Sequence, residues 1–552
     1  MERRSNMQVR KSILIFFIIA VNLAVYFNTL FAHFVWDDNI LIVLNPYMQS
    51  FQHLPKFFTQ DIWKVGIQTL TSGYYRPLQA ASFILDYTLW QNNAFGYHLT
   101  NLIFQTLVSV LIFIFTGMLT KERLISFFAA LIFSVHPVHT ESVSFISGRV
   151  DLLTLTFILL SLILFLSYAR GKKFIYYLLS LACFFISLLI KEMAVILPLL
   201  VIFLDYLFIS QRKPKELIKN FPKFYLGFFI VLGLYLTLRF YFIGWDFLLE
   251  NKRYVSNFIG GTHPYWRLFT VIKIIVLYLR LLFFPYGLKA DYFFPAANSL
   301  FEPAVLLGVI VLSFLVFIAF KNTRKNPLIT FSIFWFFITV LPVSNIIPQG
   351  NVFAERYMYI PSVGFSMAIG ICFFGLSKAR IDTHYLNWQK SVYLVFLLLV
   401  IALGRVTFER NKVWQNEFTL WYETANASPE SPRAHLNLAS AYYAINFLDN
   451  AKKEIKTALE IYPAYYEAIE MLGHIYLKEN RLDDAIRMFK AAIRIYPDRA
   501  TAYNGLGVAY ARNNRYKEAI QVTLIALKNN PYFDEARHNL DAYYEKSGHK
   551  AK

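Results

Sequence analysis

Apolar stretches near the length needed to cross ~30 Å of hydrocarbon recur from residue 12 to residue 408, and short polar connections separate them. They run over 12–31, 97–119, 124–140, 150–169, 174–190, 193–209, 224–244, 266–284, 301–320, 328–342, 357–376 and 391–408. The first is too long for a signal-peptide core and no small-residue cleavage site follows it, so it is expected to stay as an anchor. The stretch 266–284 differs from the rest. It carries Arg267, Lys273 and Arg280 at roughly helical spacing, the pattern of an interfacial or re-entrant helix. Without it about eleven spans remain.

Basic residues set the expected orientation. Arg3, Arg4, Arg10 and Lys11 precede the first span, and Arg170, Lys172 and Lys173, then Arg212, Lys213 and Lys215, fall where cytoplasmic loops are due. The amino terminus is therefore expected in the cytoplasm. An odd span count then places the carboxy-terminal region on the opposite side, together with a large first external loop at 32–96.

From Glu409 the pattern changes to charged, alanine-rich, amphipathic sequence. Pro429, Pro463, Pro497 and Pro531 recur at an interval of 34 residues, which is the tetratricopeptide period. Ala439, Gly473 and Gly507 align on it, as do Tyr442, Tyr476 and Tyr510, then Ala451, Ala485 and Ala519, then Ala458, Ala492 and Ala526. Small residues sit where paired helices cross closely, and the proline closes the second helix. The chain is thus expected to be all-α, with a multispanning membrane domain over 1–408 and a tetratricopeptide solenoid over 409–552. Its repeats are about 432–465, 466–499 and 500–533, with Asp534–Lys546 as a capping helix.

Composition agrees: 57% of residues are hydrophobic and 16% charged, well below a soluble domain's share of charge. The net charge of +19 belongs to the cytoplasmic loops and does not indicate a nucleic-acid partner. Cys183 and Cys372 both lie in apolar runs, which excludes a disulfide scaffold and a cysteine metal cluster.

Ionisable residues gather on the predicted external side. Asp37 and Asp38 follow the first span, and Arg76 lies later in the same loop. His136, His139 and Glu141, then Arg149 and Asp151, flank the end of the third span. Lys191 and Glu192 interrupt the fifth and sixth, and Glu355 and Arg356 open the span after Pro342. Charges at such depth are costly and usually face a polar cavity. Adjacent carboxylates raise at least one pKa, which suits a base, although Asp-Asp-Asn is also a turn signal. His136 and His139 permit either a helix cap or a metal site with Glu141, and no third histidine or cysteine stands nearby. Arg149 with Asp151, and Lys191 with Glu192, are also open to reading as buried ion pairs. Two aspartates among cations and histidines suit an anionic leaving group better than a peptide bond or a transported ion. A membrane scaffold for envelope assembly, with the repeats as its working part, is the alternative.

Phe34-Val35-Trp36-Asp37-Asp38, Tyr75-Arg76-Pro77-Leu78 followed by Phe95-Gly96-Tyr97-His98, His136-Pro137-Val138-His139-Thr140-Glu141 with Gly148-Arg149-Val150-Asp151, and Glu355-Arg356-Tyr357-Met358-Tyr359-Ile360-Pro361-Ser362 stand in order before the repeats. Together they resemble the TMTC family, transmembrane and tetratricopeptide-repeat O-mannosyltransferases of the GT-C superfamily. The repeat array is shorter than in eukaryotic members, which suggests a prokaryotic relative. The resemblance implies transfer of a sugar, typically mannose, from a polyprenyl-phosphate carrier to a serine or threonine hydroxyl on the non-cytoplasmic side. The membrane would be a bacterial inner membrane, or the endoplasmic reticulum in a eukaryote. On this reading Asp37 is the base and Asp38 orients the acceptor or tunes it. Arg149, Lys191 and Arg356 contact phosphate, while Arg76, His136, His139, Glu141, Asp151, Glu192 and Glu355 support the pocket. No cofactor is implied. A divalent ion is compatible with the carboxylate pair but not favoured. The repeats would offer a concave groove to a polypeptide acceptor or partner.

Overall fold

Long apolar helices separated by short breaks are what the hydropathy pattern dictates, and the computed structural model has them. It describes residues 10–67, 72–171, 173–244, 264–346, 350–379 and 385–548. Arg3, Arg4 and Lys172 of the orientation argument lie outside the described residues. The chain divides into two units. One comprises Met1–Gly66, Thr71–Ala290 and Phe294–Asn416, and the other Ile67–Leu70, Asp291–Phe293 and Glu417–Lys552. No strand occurs among the described residues.

In the first unit, seven helical stretches are long and apolar enough to cross a membrane: Lys11–Phe31, Ala94–Thr120, Ile146–Ala169, Glu192–Ile209, Pro214–Ile243, Pro303–Asn322 and Trp388–Trp414. An eighth is the pair Arg123–Val135 and Pro137–Ser144, which bends by 54° at His136. Pro137 causes the break, because its ring removes an N–H and disfavours helical geometry in the residue before it. Three further apolar helices, Ile175–Ile190, Pro327–Val343 and Ser362–Lys378, are shorter. Together these account for the eleven segments expected, and among the described residues seven, or eight with the bent pair, have the length to span alone. The chain is a multi-pass membrane protein. Pro264–Phe283 is a helix of 20 residues and is absent from that set. Its three basic residues are the reason, and Lys273 is held by Glu302 at 2.6 Å.

Buried polar side chains join the helices of this unit where apolar contact alone gives no specificity. Asn22 donates to Ser134 Oγ at 2.9 Å and accepts from Ser109 Oγ at 3.3 Å, tying together the first three long helices. Asn411 donates to the Val25 carbonyl at 2.9 Å, and Thr407 donates to Val135 O at 2.6 Å. Such bonds are the usual adhesive between helices in lipid, where burying apolar surface gains little.

The second unit is a solenoid of helix pairs: Pro432–Ala444 with Leu448–Ile461, Tyr466–Lys478 with Leu482–Ile495, and Ala500–Arg512 with Tyr516–Asn529, closed by Asp534–Ser547. Within each pair the turn is made by an asparagine in left-handed conformation, Asn446 (φ 64°), Asn480 (φ 60°) and Asn514 (φ 59°). Asparagine tolerates that region better than other side chains do. Phe489, fully buried, sits between Gly473 and Gly505; a Cβ on Gly505 would lie 2.5 Å from its ring. Small residues at these crossings therefore exist to admit the ring. Phe489→Ala should destabilise the solenoid by about 3–5 kcal/mol, read as earlier proteolysis of the array in a denaturant series. An unchanged midpoint would show that the ring does not hold the repeats together.

Candidate functional site

The loop that follows the first long helix is built around two buried aspartates. Asp61 accepts N–H bonds from Trp63 at 2.8 Å, Ser72 at 2.8 Å and Tyr74 at 3.0 Å, and so folds the chain back to present Tyr74 and Arg76. Asp38 accepts from Val35 N at 3.2 Å, Ser147 N at 2.8 Å and Ser147 Oγ at 2.5 Å, which pins the loop to the turn Ile146–Gly148. Gly148 is required in that turn: a Cβ there would lie 2.7 Å from Glu141 O. Between these fixed points Trp36 adopts a left-handed backbone (φ 53°), and its ring stacks on Phe145 with centroids 5.6 Å apart. Asp37 is thereby held between two immobilised neighbours, itself only partly buried.

Three cations join this loop, Arg76 from its far end and Lys191 and Arg356 from two other segments. Arg76 Nε and Nη2 donate to the two Glu192 oxygens at 3.0 and 2.6 Å. Lys191 Nζ pairs with Asp151 at 2.5 Å. Arg356 pairs through Nη1 with Glu141, which also accepts the Arg356 backbone N–H at 2.8 Å. The Tyr357 ring lies between two of these charges, 5.9 Å from Lys191 Nζ and 5.4 Å from Arg356 Cζ, while Arg76 stacks 3.9 Å from the Tyr74 ring centre. Asp37 is close enough to Arg356 to favour its charge, and Arg76 interacts with Asp151 and Lys191. Burial opposes the charge of both Arg76 and Arg356. The facing Glu192 and Glu141 outweigh it, so both guanidiniums are held more firmly protonated than usual.

The structure thus brings Asp37, Arg76, Glu141, Asp151, Lys191, Glu192 and Arg356 into one group. Its pairing departs from sequence order: Lys191 joins Asp151 and not Glu192, and Arg149 joins neither of its neighbours. Arg149 is corrected from phosphate ligand to structural ion. Its side chain is 0% exposed, and its guanidinium meets Asp86 at 2.5 Å, Asn101 Oδ1 at 2.8 Å, Tyr97 O at 2.8 Å and Ser82 O at 3.2 Å. Every nitrogen is engaged, so no edge is left for phosphate. Asp38 likewise spends its carboxylate on Val35 and Ser147, which fixes the backbone next to Asp37. His136 bonds Leu282 O at 2.9 Å and Val138 N at 3.2 Å, and His139 bonds Phe133 O at 2.8 Å and Ser362 Oγ at 2.7 Å. Both rings therefore stabilise the break after Val135, and neither has a nitrogen left for a metal. Glu355 accepts the Lys289 backbone N–H and lies 3.7 Å from Arg410.

Sequence reasoning missed Asp86, Asp61 and Tyr74. Asp86 carried a signal: a carboxylate inside the otherwise apolar helix Pro77–Trp90 must have a partner.

Comparison with known proteins agrees with this architecture. The family described as "Dolichyl-phosphate-mannose-protein mannosyltransferase" matches residues 77–240, and tetratricopeptide repeats match 432–465 and 470–532. The chain is 27% identical over 467 residues to protein O-mannosyl-transferase F38B6.6 of Caenorhabditis elegans, covering 81% of this chain and 62% of that protein. It is 26% identical to human protein O-mannosyl-transferase TMTC3, covering 83% and 52% respectively. Its length thus corresponds to between half and two thirds of these relatives.

Two outcomes follow from the geometry. Arg149→Ala leaves Asp86 buried without its cation and should cost about 3–5 kcal/mol, seen as a lowered unfolding temperature in detergent. A variant as stable as the wild type would return Arg149 to the list of ligand-binding groups. Burial pushes Asp38 up from 3.8 to about 7, against the bonds from Ser147 and Val35. Because the folded value exceeds the unfolded one, the stability it confers is present at acid pH and is lost as pH rises from 3.8 through about 7. The wild type should therefore lose stability relative to Asp38→Asn over that interval; a constant difference would contradict the shift.

Proposed function

We propose, for a chain that belongs to the TMTC family of transmembrane and tetratricopeptide-repeat proteins, transfer of a sugar from a polyprenyl-phosphate carrier to a serine or threonine hydroxyl of a protein. Mannose is the sugar that the relatives' names favour. The observation that carries the reading is that Asp37 stands beside Arg356, in a group whose two arginines keep donors in reserve. Arg76 uses Nε and Nη2, and Arg356 uses Nη1 and its backbone N–H. Nη1 of Arg76, and Nε and Nη2 of Arg356, have no hydrogen-bond partner among the described residues and are free to grip phosphate oxygens. Lys191 adds a compact ammonium behind them.

In this reaction the acceptor oxygen attacks the anomeric carbon as its proton passes to Asp37, and the bond from that carbon to the phosphate oxygen breaks on the opposite face. Configuration inverts, and the lipid phosphate departs carrying the electron pair. Arg76, Lys191 and Arg356 stabilise the charge that collects on it. Asp38 takes no proton in the step; it holds the loop that aims Asp37. Polar groups on both faces of the membrane domain would suit a transporter, whereas these lie together beside the first loop. We place this chemistry on the non-cytoplasmic side, with the amino terminus in the cytoplasm and the repeats receiving the acceptor polypeptide. That sidedness rests on the basic loops.

Asp37→Asn should reduce transfer by about 10²–10⁴-fold while the protein stays inserted and folded. Arg356→Lys should raise the lipid-donor concentration needed for half-maximal rate more than that of the acceptor. The assay is release of labelled sugar from a polyprenyl-phosphate donor onto a serine- or threonine-containing polypeptide in membranes. Full activity of Asp37→Asn would remove that residue from the mechanism.

A further inference from the structure

Within the membrane unit, the helix Leu226–Ile243 is mostly apolar and exposed, and its buried residues are Phe228, Tyr235 and Arg239. Spaced by two turns and then one, they share a face. An arginine near the end of a membrane helix commonly lays its stem along lipid and keeps its head in water. Arg239 does not, being 7% exposed. A charge taken inside such a bundle is costly and marks a partner or a task.

Arg239 Nη2 donates to the Gly73 carbonyl at 2.8 Å. Gly73 has a left-handed backbone (φ 75°), the conformation glycine adopts without a steric penalty, so the chain turns at this point. Two residues on, the Tyr75 ring stands 6.3 Å from that of Tyr235 and stacks on that of Phe242 at 6.4 Å. The end of this helix therefore fixes the backbone that runs into Arg76. Arg239 also interacts electrostatically with Glu192, the carboxylate that takes Nε and Nη2 of Arg76, and Tyr235 is within electrostatic reach of both members of that pair. One guanidinium thus meets Arg76 twice, through the chain before it and through the acid that holds it.

Charge balance gives this contact a purpose. The group formed by Asp37, Arg76, Glu141, Asp151, Lys191, Glu192 and Arg356 has four carboxylates and three cations. A phosphate entering it would meet an excess of negative charge. Arg239 is the fourth cation. We propose that Arg239 is a positioning residue for Arg76: it anchors Gly73, shares Glu192, and through them lets the group accept a lipid phosphate. That the phosphate is the sugar donor's rests on the transferase reading above.

Two variants of the full chain in nanodiscs test it, titrated with a sugar-free polyprenyl phosphate so that binding is read without any transfer. Arg239→Gln keeps an N–H donor for Gly73 but removes the charge, and should raise the Kd by about tenfold. Arg239→Lys keeps the charge and should stay within about threefold of the wild type. In the transfer assay, Arg239→Gln should raise the donor concentration for half-maximal rate by a similar factor and leave that of the acceptor within about twofold. Binding by Arg239→Gln within about twofold of the wild type overturns the proposal, and so does an equal loss in both variants, which is what a purely structural role would give. If Arg239→Gln does not fold, Arg239→Lys decides alone, and a loss of about tenfold there overturns the proposal. If the binding changes run as expected but the wild type transfers no sugar, Arg239 keeps its role and the transferase reading fails.

Discussion

Four cations buried or half-buried at the apolar helix ends of this protein are each matched by a carboxylate from another segment, and much of the membrane unit is arranged around that requirement. An unpaired ion in such surroundings costs several kcal/mol. Arg76 therefore meets Glu192, Arg149 meets Asp86, Lys191 meets Asp151, and Arg356 meets Glu141. Each pair registers two pieces of chain that apolar packing would leave free to slide. Three of the four converge on Tyr357 and Tyr74, so the cluster that registers the helix ends also assembles the candidate site.

Periodic features were readable from sequence because they are local. A run of apolar residues predicts its own helix, and an interval of 34 residues predicts a repeat whose small positions admit Phe489 and its equivalents. The limits of those features were less readable. Hydropathy ends at Phe408, yet the last membrane helix continues to Asn411 and Trp414 is fully buried, so the first unit runs to Asn416. Mean apolarity likewise did not distinguish the shorter helix Ile175–Ile190 from its longer neighbours.

For the candidate site, the membership of the group was legible and the partners within it were not. Arg149 and Asp151 are two apart on one helix, and such residues do not face each other. Arg149 points to Asp86 while Asp151 points to Lys191. Lys191 has an extended backbone between two helices, so adjacency to Glu192 likewise implied no contact. Choosing partners requires knowing which helices are neighbours, and hydropathy carries no such information. Asp38 illustrates the same limit: the doublet marked the right place, but only the fold reveals that one carboxylate faces Ser147 while the other remains partly exposed.

Distinguishing an arginine that binds a ligand from one that holds the protein together is then a matter of counting N–H donors. A guanidinium has five, and burial demands that each be satisfied. Arg149 is sealed and meets one carboxylate, one amide and two carbonyls, the environment of a permanent structural ion. Arg356 is 18% exposed at the side chain and gives one edge to Glu141. Its remaining edge is cheap to desolvate only against another anion. In the proposed reaction, the carboxylates that neutralise Arg76, Lys191 and Arg356 in the resting protein would also keep an approaching phosphate from being held too strongly, since the charge it meets is already partly balanced. A lipid phosphate bound in this way would be stabilised most as it gained charge on departure, which is the interval in which stabilisation accelerates a reaction.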